Sequence, residues 1–121
     1  MIYLGLDYGE KNIGLAKATS ELKIATPFKI IKNSAGVCEE LQKIIKTEKI
    51  DELVVGYPLT LKGGVGQQAE VVEEFIEKIR IFNLPINRQD ERFSSKSAVA
   101  GQADNDASAA ALILRTYLER L

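Results

Sequence analysis

The stretch Ile2-Tyr-Leu-Gly-Leu-Asp7, followed after the turn Tyr8-Gly-Glu-Lys-Asn12 by Ile13-Gly-Leu-Ala-Lys-Ala-Thr19, decides the fold. Ile2, Leu4 and Leu6 alternate with Tyr3, Gly5 and Asp7, which is the period of a strand with one apolar face. The turn is short, and Gly9 and Asn12 both tolerate positive φ, so the two segments form an antiparallel hairpin. Residues 20–23 are a polar break. Residues 24–32 make a third strand, in which Pro27 suits an edge better than a centre.

Beyond residue 33 the period changes. Ser34 is placed to cap a helix whose Val37, Leu41, Ile44 and Ile45 fall on one stripe. Residues 51–57 are an apolar run ending in Gly-Tyr-Pro, expected to be a buried parallel strand, and residues 59–66 are a glycine-bearing loop. A helix over residues 67–82 turns Val72, Phe75, Ile76 and Ile79 inward. A fifth strand covers residues 84–92 and a short helix residues 95–100, with Ser94 and Ser95 as its caps. The last helix, residues 106–121, carries Ala110, Ile113, Leu114, Tyr117 and Leu118 toward the core. The order β-β-β-α-β-α-β-(α)-α calls for a mixed sheet with helices on its faces. Connection rules favour strand 4 beside strand 1, with a right-handed crossover to strand 5.

The chain has 121 residues, a one-domain length, and its 45% hydrophobic and 27% charged residues are those of a soluble globular protein. No apolar run is long enough to span a membrane, and the first residues read as a strand rather than a secretion signal. The one cysteine, Cys38, cannot form an intrachain disulfide, which fits a cytoplasmic protein. There is no histidine, so a Ser-His-Asp triad, a Cys-His pair and a His-ligated zinc site are excluded. The net charge of −1 means that any nucleic acid must be held by a local patch rather than by overall basicity.

The acids sit at the ends of elements. Asp7 closes strand 1, Asp90 and Glu91 close strand 5, and Asp104 and Asp106 stand at the start of the last helix. Ligands of open α/β sheets gather outside the carboxyl ends of the parallel strands. Carboxylates converging there would repel unless one stayed protonated or a cation joined them. Oxygen ligands suit Mg²⁺ or Mn²⁺, and two such ions roughly 4 Å apart can activate water and steady the leaving oxygen of a phosphodiester. Taken singly, Asp7 could be a turn residue, Asp106 a helix-dipole partner, and Asp90 and Glu91 strand-end partners of Arg88 or Arg92.

Five collinear segments resemble the motifs of the YqgF family: Gly5-Leu-Asp-Tyr-Gly-Glu-Lys-Asn-Ile-Gly-Leu-Ala16, Val54-Val-Gly-Tyr-Pro-Leu59, Gly63-Gly-Val-Gly-Gln-Gln-Ala69, Asp90-Glu-Arg-Phe-Ser-Ser95 and Asp106-Ala-Ser-Ala-Ala-Ala111. Members of that family are described as Holliday junction resolvases and as the nuclease that matures the 5′ end of pre-16S rRNA. The resemblance implies an α/β, ribonuclease-H-like fold over residues 1–121 as one domain. Its five-stranded sheet would have the order 3-2-1-4-5, with strand 2 antiparallel. It also implies a catalytic, metal-holding trio matching Asp7, Glu91 and Asp106. Strand alternation groups Glu91 with Asn87 and Gln89, leaving Asp90 and Arg92 as supporting residues.

Gly63 and Gly64, just ahead of a helix, can offer N–H groups to a phosphate, and Lys11, Lys62 and Lys96 can contact the nucleic-acid backbone. The expected partners are pre-rRNA or branched DNA, with no membrane, and the protein would act as a monomer or a homodimer. Two departures from the family stand out. Residues 99–105 are shorter than the usual segment and lack its basic residues, and Tyr57 replaces an aliphatic residue. The first favours, as an alternative, a module that binds nucleic acid and cuts it weakly. The spacing Asp7-x-Gly9-x4-Gly14 also resembles the phosphate loop of actin-like ATPases, but those close two domains around a nucleotide and this chain has the length of one.

Overall fold

The computed structural model describes residues 1–57, 67–90 and 106–121. Three strands come first: β1 (Ile2–Tyr8), β2 (Asn12–Thr19) and β3 (Thr26–Lys32). Then follow α1 (Val37–Thr47), β4 (Glu52–Tyr57), α2 (Gln67–Ile79) with a 3₁₀ turn at Arg80–Phe82, β5 (Ile86–Asp90) and α3 (Asp106–Glu119). The five strands form one sheet in the order β3-β2-β1-β4-β5. β1 is antiparallel to β2 and parallel to β4, and β4 is parallel to β5. The expected order and strand directions hold.

Strand alternation sorts the core into two layers. Leu4 and Leu6 of β1 join Ile13, Leu15, Leu53 and Val55 beneath α1 and α2, whose Leu41, Ile44, Phe75 and Ile76 close that layer. Tyr3 faces the other way, with Ala16, Ala18 and Val54, against Ala110, Ile113, Leu114 and Leu118 of α3. Each large aliphatic or aromatic side chain removed from water in these layers contributes about 1.5–3 kcal/mol before entropy is counted. On this second face the strands carry small residues, so α3 lies close to the backbone. A Cβ added to Gly5 would stand 2.9 Å from Leu114 Cβ and 3.1 Å from the Ala110 carbonyl oxygen. Tyr3 meets Tyr117 edge-on at 6.0 Å between ring centroids. With Tyr3 against Tyr117 and Gly5 beneath Ala110 and Leu114, α3 runs antiparallel to β1 and begins at the Asp7 end.

Several boundaries differ from expectation. Ser34 does not cap α1 with its side chain: Gly36 is the N-cap residue, without a side-chain bond, and the Ser34 carbonyl accepts from Val37 N–H. The second helix tightens to 3₁₀ after Ile79 and stops at Asn83, whose φ of 56° is left-handed, a conformation asparagine tolerates. The third strand starts at Thr26, leaving Ile24 exposed. Its register against β2 shifts between Leu15 and Ala16, which pair with Lys29 and Pro27 and leave Phe28 as an inserted bulge residue. Pro27 and the bulge both discourage a further strand from adding to this edge. The short helix expected over residues 95–100 lies outside the described residues, as does the glycine-bearing loop. No helix among the described residues is long and apolar enough to cross a membrane.

Candidate active site

Asp7 shares the α3 face of the sheet with Tyr3 and Gly5, one residue before β1 ends. It pairs with Gly14 of β2. On the other side, one step past the Leu6–Val55 pair, it lies beside Gly56 of β4, which in turn pairs with Gln89 of β5. A single row therefore crosses the sheet as Gly14, Asp7, Gly56, Gln89. Its neighbours in this row, Gly14 and Gly56, carry no side chain. In the next row α3 covers Ala16, Gly5 and Val54. A strand rises about 3.4 Å per residue and a helix 1.5 Å. From Gly5, beneath Ala110 and Leu114, two strand residues reach Asp7 and roughly one helical turn reaches the start of α3. The backbone thus brings the first residues of α3, beginning with Asp106, to the level of Asp7.

The turn after Asp7 is closely built. A Cβ on Gly9 would fall 2.3 Å from the carbonyl oxygen of Asn12. Gly9 is therefore required by this approach; it does not use the positive φ expected of it, and neither does Asn12. Asn33, just past β3, fastens the turn from outside. Its side-chain amide donates to the Gly9 carbonyl at 2.9 Å, and its backbone N–H donates to the Lys11 carbonyl at 2.9 Å. Nothing in the sequence marked Asn33 for this task. Gly14 and Gly56 stood within recognisable segments, but their place on either side of Asp7 needed the strand register to be seen.

The other expected residues divide as follows. Asp90 is the last residue of β5 and pairs with Tyr57; Asp106 is the first of α3. Asn87 and Gln89 lie on the Asp7 face, as alternation required, and Gln89 is only 1% exposed. Arg88 points to the opposite face, where its guanidinium makes a two-pronged bond to Glu73 of α2 at 2.7 and 2.9 Å and stands 5.8 Å from the Tyr57 ring centroid. Its partner is thus helical rather than a strand-end acid, and Tyr57 gives the guanidinium a ring to lie over. Lys11 is exposed on the hairpin turn. Glu91, Arg92, Lys62, Gly63, Gly64 and Lys96 lie outside the described residues. Among the described residues no cluster of three metal-ligating side chains occurs.

Two phenols remote from this edge are also shifted. Burial, reinforced by the nearby Glu52 carboxylate, raises the Tyr3 and Tyr117 phenols above their ordinary value.

Comparison with known proteins agrees with this fold. A relative from Sulfurihydrogenibium sp. (strain YO3AOP1), named "Putative pre-16S rRNA nuclease", is 39% identical over 130 aligned positions, covering 98% of this chain and 90% of the relative. One of the same name from Desulfitobacterium hafniense (strain DSM 10664 / DCB-2) is 34% identical, covering 98% and 92%. Among solved structures, Thermus thermophilus RuvC in complex with a Holliday junction substrate superposes with a TM-score of 0.66 at 13% identity, covering 99% of this chain and 94% of that one. The fowlpox virus Holliday junction resolvase gives 0.61 at 13% identity, with both chains fully covered. At such identities these two establish the ribonuclease-H-like fold. The model of the RuvX family, described as Holliday junction resolvase, matches residues 1–120, and the chain belongs to that family of nucleases.

Proposed function

We propose that residues 1–121 are a single metal-dependent endonuclease domain that acts in the cytoplasm and matures the 5′ end of pre-16S rRNA. The observation that carries the proposal is the position of Asp7, at the carboxyl end of a parallel-paired strand, between two glycines and level with the start of α3. The names of the relatives at 39% and 34% identity support the RNA substrate. The second reading, cleavage of four-way DNA junctions, is favoured by the description of the family itself.

Family membership implies a divalent cation in general terms, and the residues fit one. Asp7 supplies a hard oxygen donor at the end of its strand, and a chain without histidine favours oxygen ligation. Asp7, Glu91 and Asp106 would hold Mg²⁺ or Mn²⁺, with Asp90 and Arg92 in support. Bound there, two such ions would supply Lewis acidity to the attacking water and to the leaving oxygen of the phosphodiester. The chain's own contribution is placement. Gly9 and Asn33 fix the turn that follows Asp7, and α3, seated on Gly5, fixes the start of the helix beside it. Lys11, Lys62, Lys96 and the N–H groups of Gly63 and Gly64 would contact phosphates, neutralising charge that hydrolysis does not consume. Water adds to phosphorus, one ester P–O bond breaks, and the released alkoxide takes up a proton.

A side-by-side cleavage assay tests this: a 16S rRNA precursor with its 5′ leader and a four-way DNA junction, each with Mg²⁺ and with Mn²⁺. Shortening of the leader with the junction intact is the expected result. Paired nicks in the junction with an uncut leader would move the function to the second reading. The absence of cleavage in both, with binding retained, would leave a nucleic-acid-binding module.

A further inference from the structure

We infer that the corner of the Asp7 face formed by Ile30, Asn12 and Lys32 is the track on which the nucleic-acid strand approaches Asp7. The inference rests on the nuclease reading of Asp7 and adds Ile30 and Lys32 to its surroundings. Pairing places Ile30 opposite Gly14 and Lys32 opposite Asn12, so all four share the face of Asp7. Ile30 stands in the Asp7 row itself, two strand spacings or roughly 10 Å away, with only a glycine between. Lys32 is one row further out, past the end of the hairpin.

α3 covers this face over Tyr3, Ala16, Ala18 and Val54 and also packs against β3. Ile30 is 44% exposed, and Asn12 and Lys32 are exposed. A single exposed isoleucine is ordinary on a protein surface. What marks Ile30 is its place in the row of the catalytic acid, exposed where Gly14 between them is buried. A strand of nucleic acid could lay a sugar or base on Ile30 while its phosphates pass Lys32 and Lys11.

The charges suit this occupant. Lys17 and Lys29 are engaged by Glu48 and Glu40 on the opposite face. Lys11 and Lys32 form no ion pair among the described residues, leaving both free to meet phosphates; Glu10, exposed on the turn, is the nearest acid in sequence. Both lysines are held in register, because Asn33 ties the residue after Lys32 to the Gly9 and Lys11 carbonyls. Cations positioned in advance lose less freedom on binding.

The experiment is fluorescence anisotropy in EDTA, which prevents cleavage, over a series of salt concentrations. The probes are a labelled RNA hairpin with a single-stranded 5′ extension and a labelled four-way DNA junction. Lys32→Gln should weaken binding several-fold and lower the slope of log affinity against log salt by about 0.7–0.9, the loss of one phosphate contact. Ile30→Lys should do the reverse, tightening binding and steepening the slope by a similar amount, a gain that a misfolded variant cannot produce. Lys46→Gln, in the last turn of α1 at the far end of the molecule, should leave both unchanged. If wild type binds and both track variants match it in affinity and slope, the track is wrong and the nuclease reading stands. If wild type binds neither probe, the nuclease reading falls and takes the track with it.

Discussion

Replacing Gly5 with alanine tests how the two halves of the site are held together. The added methyl would lie 2.9 Å from Leu114 Cβ and 3.1 Å from the Ala110 carbonyl oxygen. Carbon pairs rest comfortably at about 3.5–4.0 Å, so α3 must retreat by roughly half an ångström or more. Neither neighbour is the free end of a flexible side chain. One is backbone and the other is bonded directly to it, so the helix moves as a body. Overpacking of this kind costs about 1–3 kcal/mol. For a chain of this size that is roughly 4 °C in Tm per kcal/mol, a drop of about 4–12 °C. The same displacement carries the start of α3, one turn from Ala110, away from Asp7. Misplacing catalytic groups by about 1 Å can cost up to ~10²-fold, so turnover by the folded variant should fall by one to two orders of magnitude. Thermal melts followed by circular dichroism give the first number, and single-turnover cleavage well below the melt gives the second. Wild-type Tm together with wild-type turnover would mean that α3 is not seated on β1 as described. A lowered Tm with undiminished turnover would remove the start of α3 from the active site.

Other outcomes follow from the same contacts. Gly9→Ala should reduce cleavage more than it reduces stability, because its methyl would collide with the Asn12 carbonyl at 2.3 Å in an exposed turn that directly follows Asp7; melts and rates measured in parallel separate the two effects. Asn33→Ala, which removes the bond to the Gly9 carbonyl, should cost about 0.5–1.5 kcal/mol in urea unfolding and slow cleavage in the same direction as Gly9→Ala. The raised Tyr3 and Tyr117 phenols make stability depend on alkaline pH. Both are neutral in the folded state and remain so above the ordinary phenol value of 10.0, so the fold keeps this contribution below that pH and loses it as pH rises through the raised folded values. Melts from pH 8 upward should fall away above about pH 10, and Tyr3→Phe with Tyr117→Phe should flatten that fall.

Much of this arrangement was legible in the residues. The alternation in Ile2–Tyr8 and Asn12–Thr19, separated by a short turn, required an antiparallel hairpin and put Asp7 on the face opposite Leu4 and Leu6. The stripe of Ala110, Ile113, Leu114, Tyr117 and Leu118 required α3 to lie on the sheet. What could not be read depends on distances between segments far apart in the chain. Gly9 looked like a residue chosen for its φ, yet its role is to let the Asn12 carbonyl approach. The bulge at Phe28 depends on where the β2–β3 register shifts, which no local pattern reveals. Arg88 had acids beside it in sequence, and only packing of α2 against the sheet showed that Glu73 was its partner. Within the site, the carboxylate of Asp7 was legible, while the glycines flanking it emerged only once three strands were aligned.

Asp7 is the acid around which the proposed cleavage is organised. The most direct measurement is the single-turnover rate of phosphodiester cleavage, with Mg²⁺ or Mn²⁺, for wild type and for Asp7→Asn purified in parallel. The side chain is partly exposed at a strand end, so the variant should melt close to wild type while its rate drops by about 10²–10³ or more, the scale seen when one group that stabilises developing charge is removed. Equal rates in the two proteins would contradict the account, since the cleavage would then not come from this site.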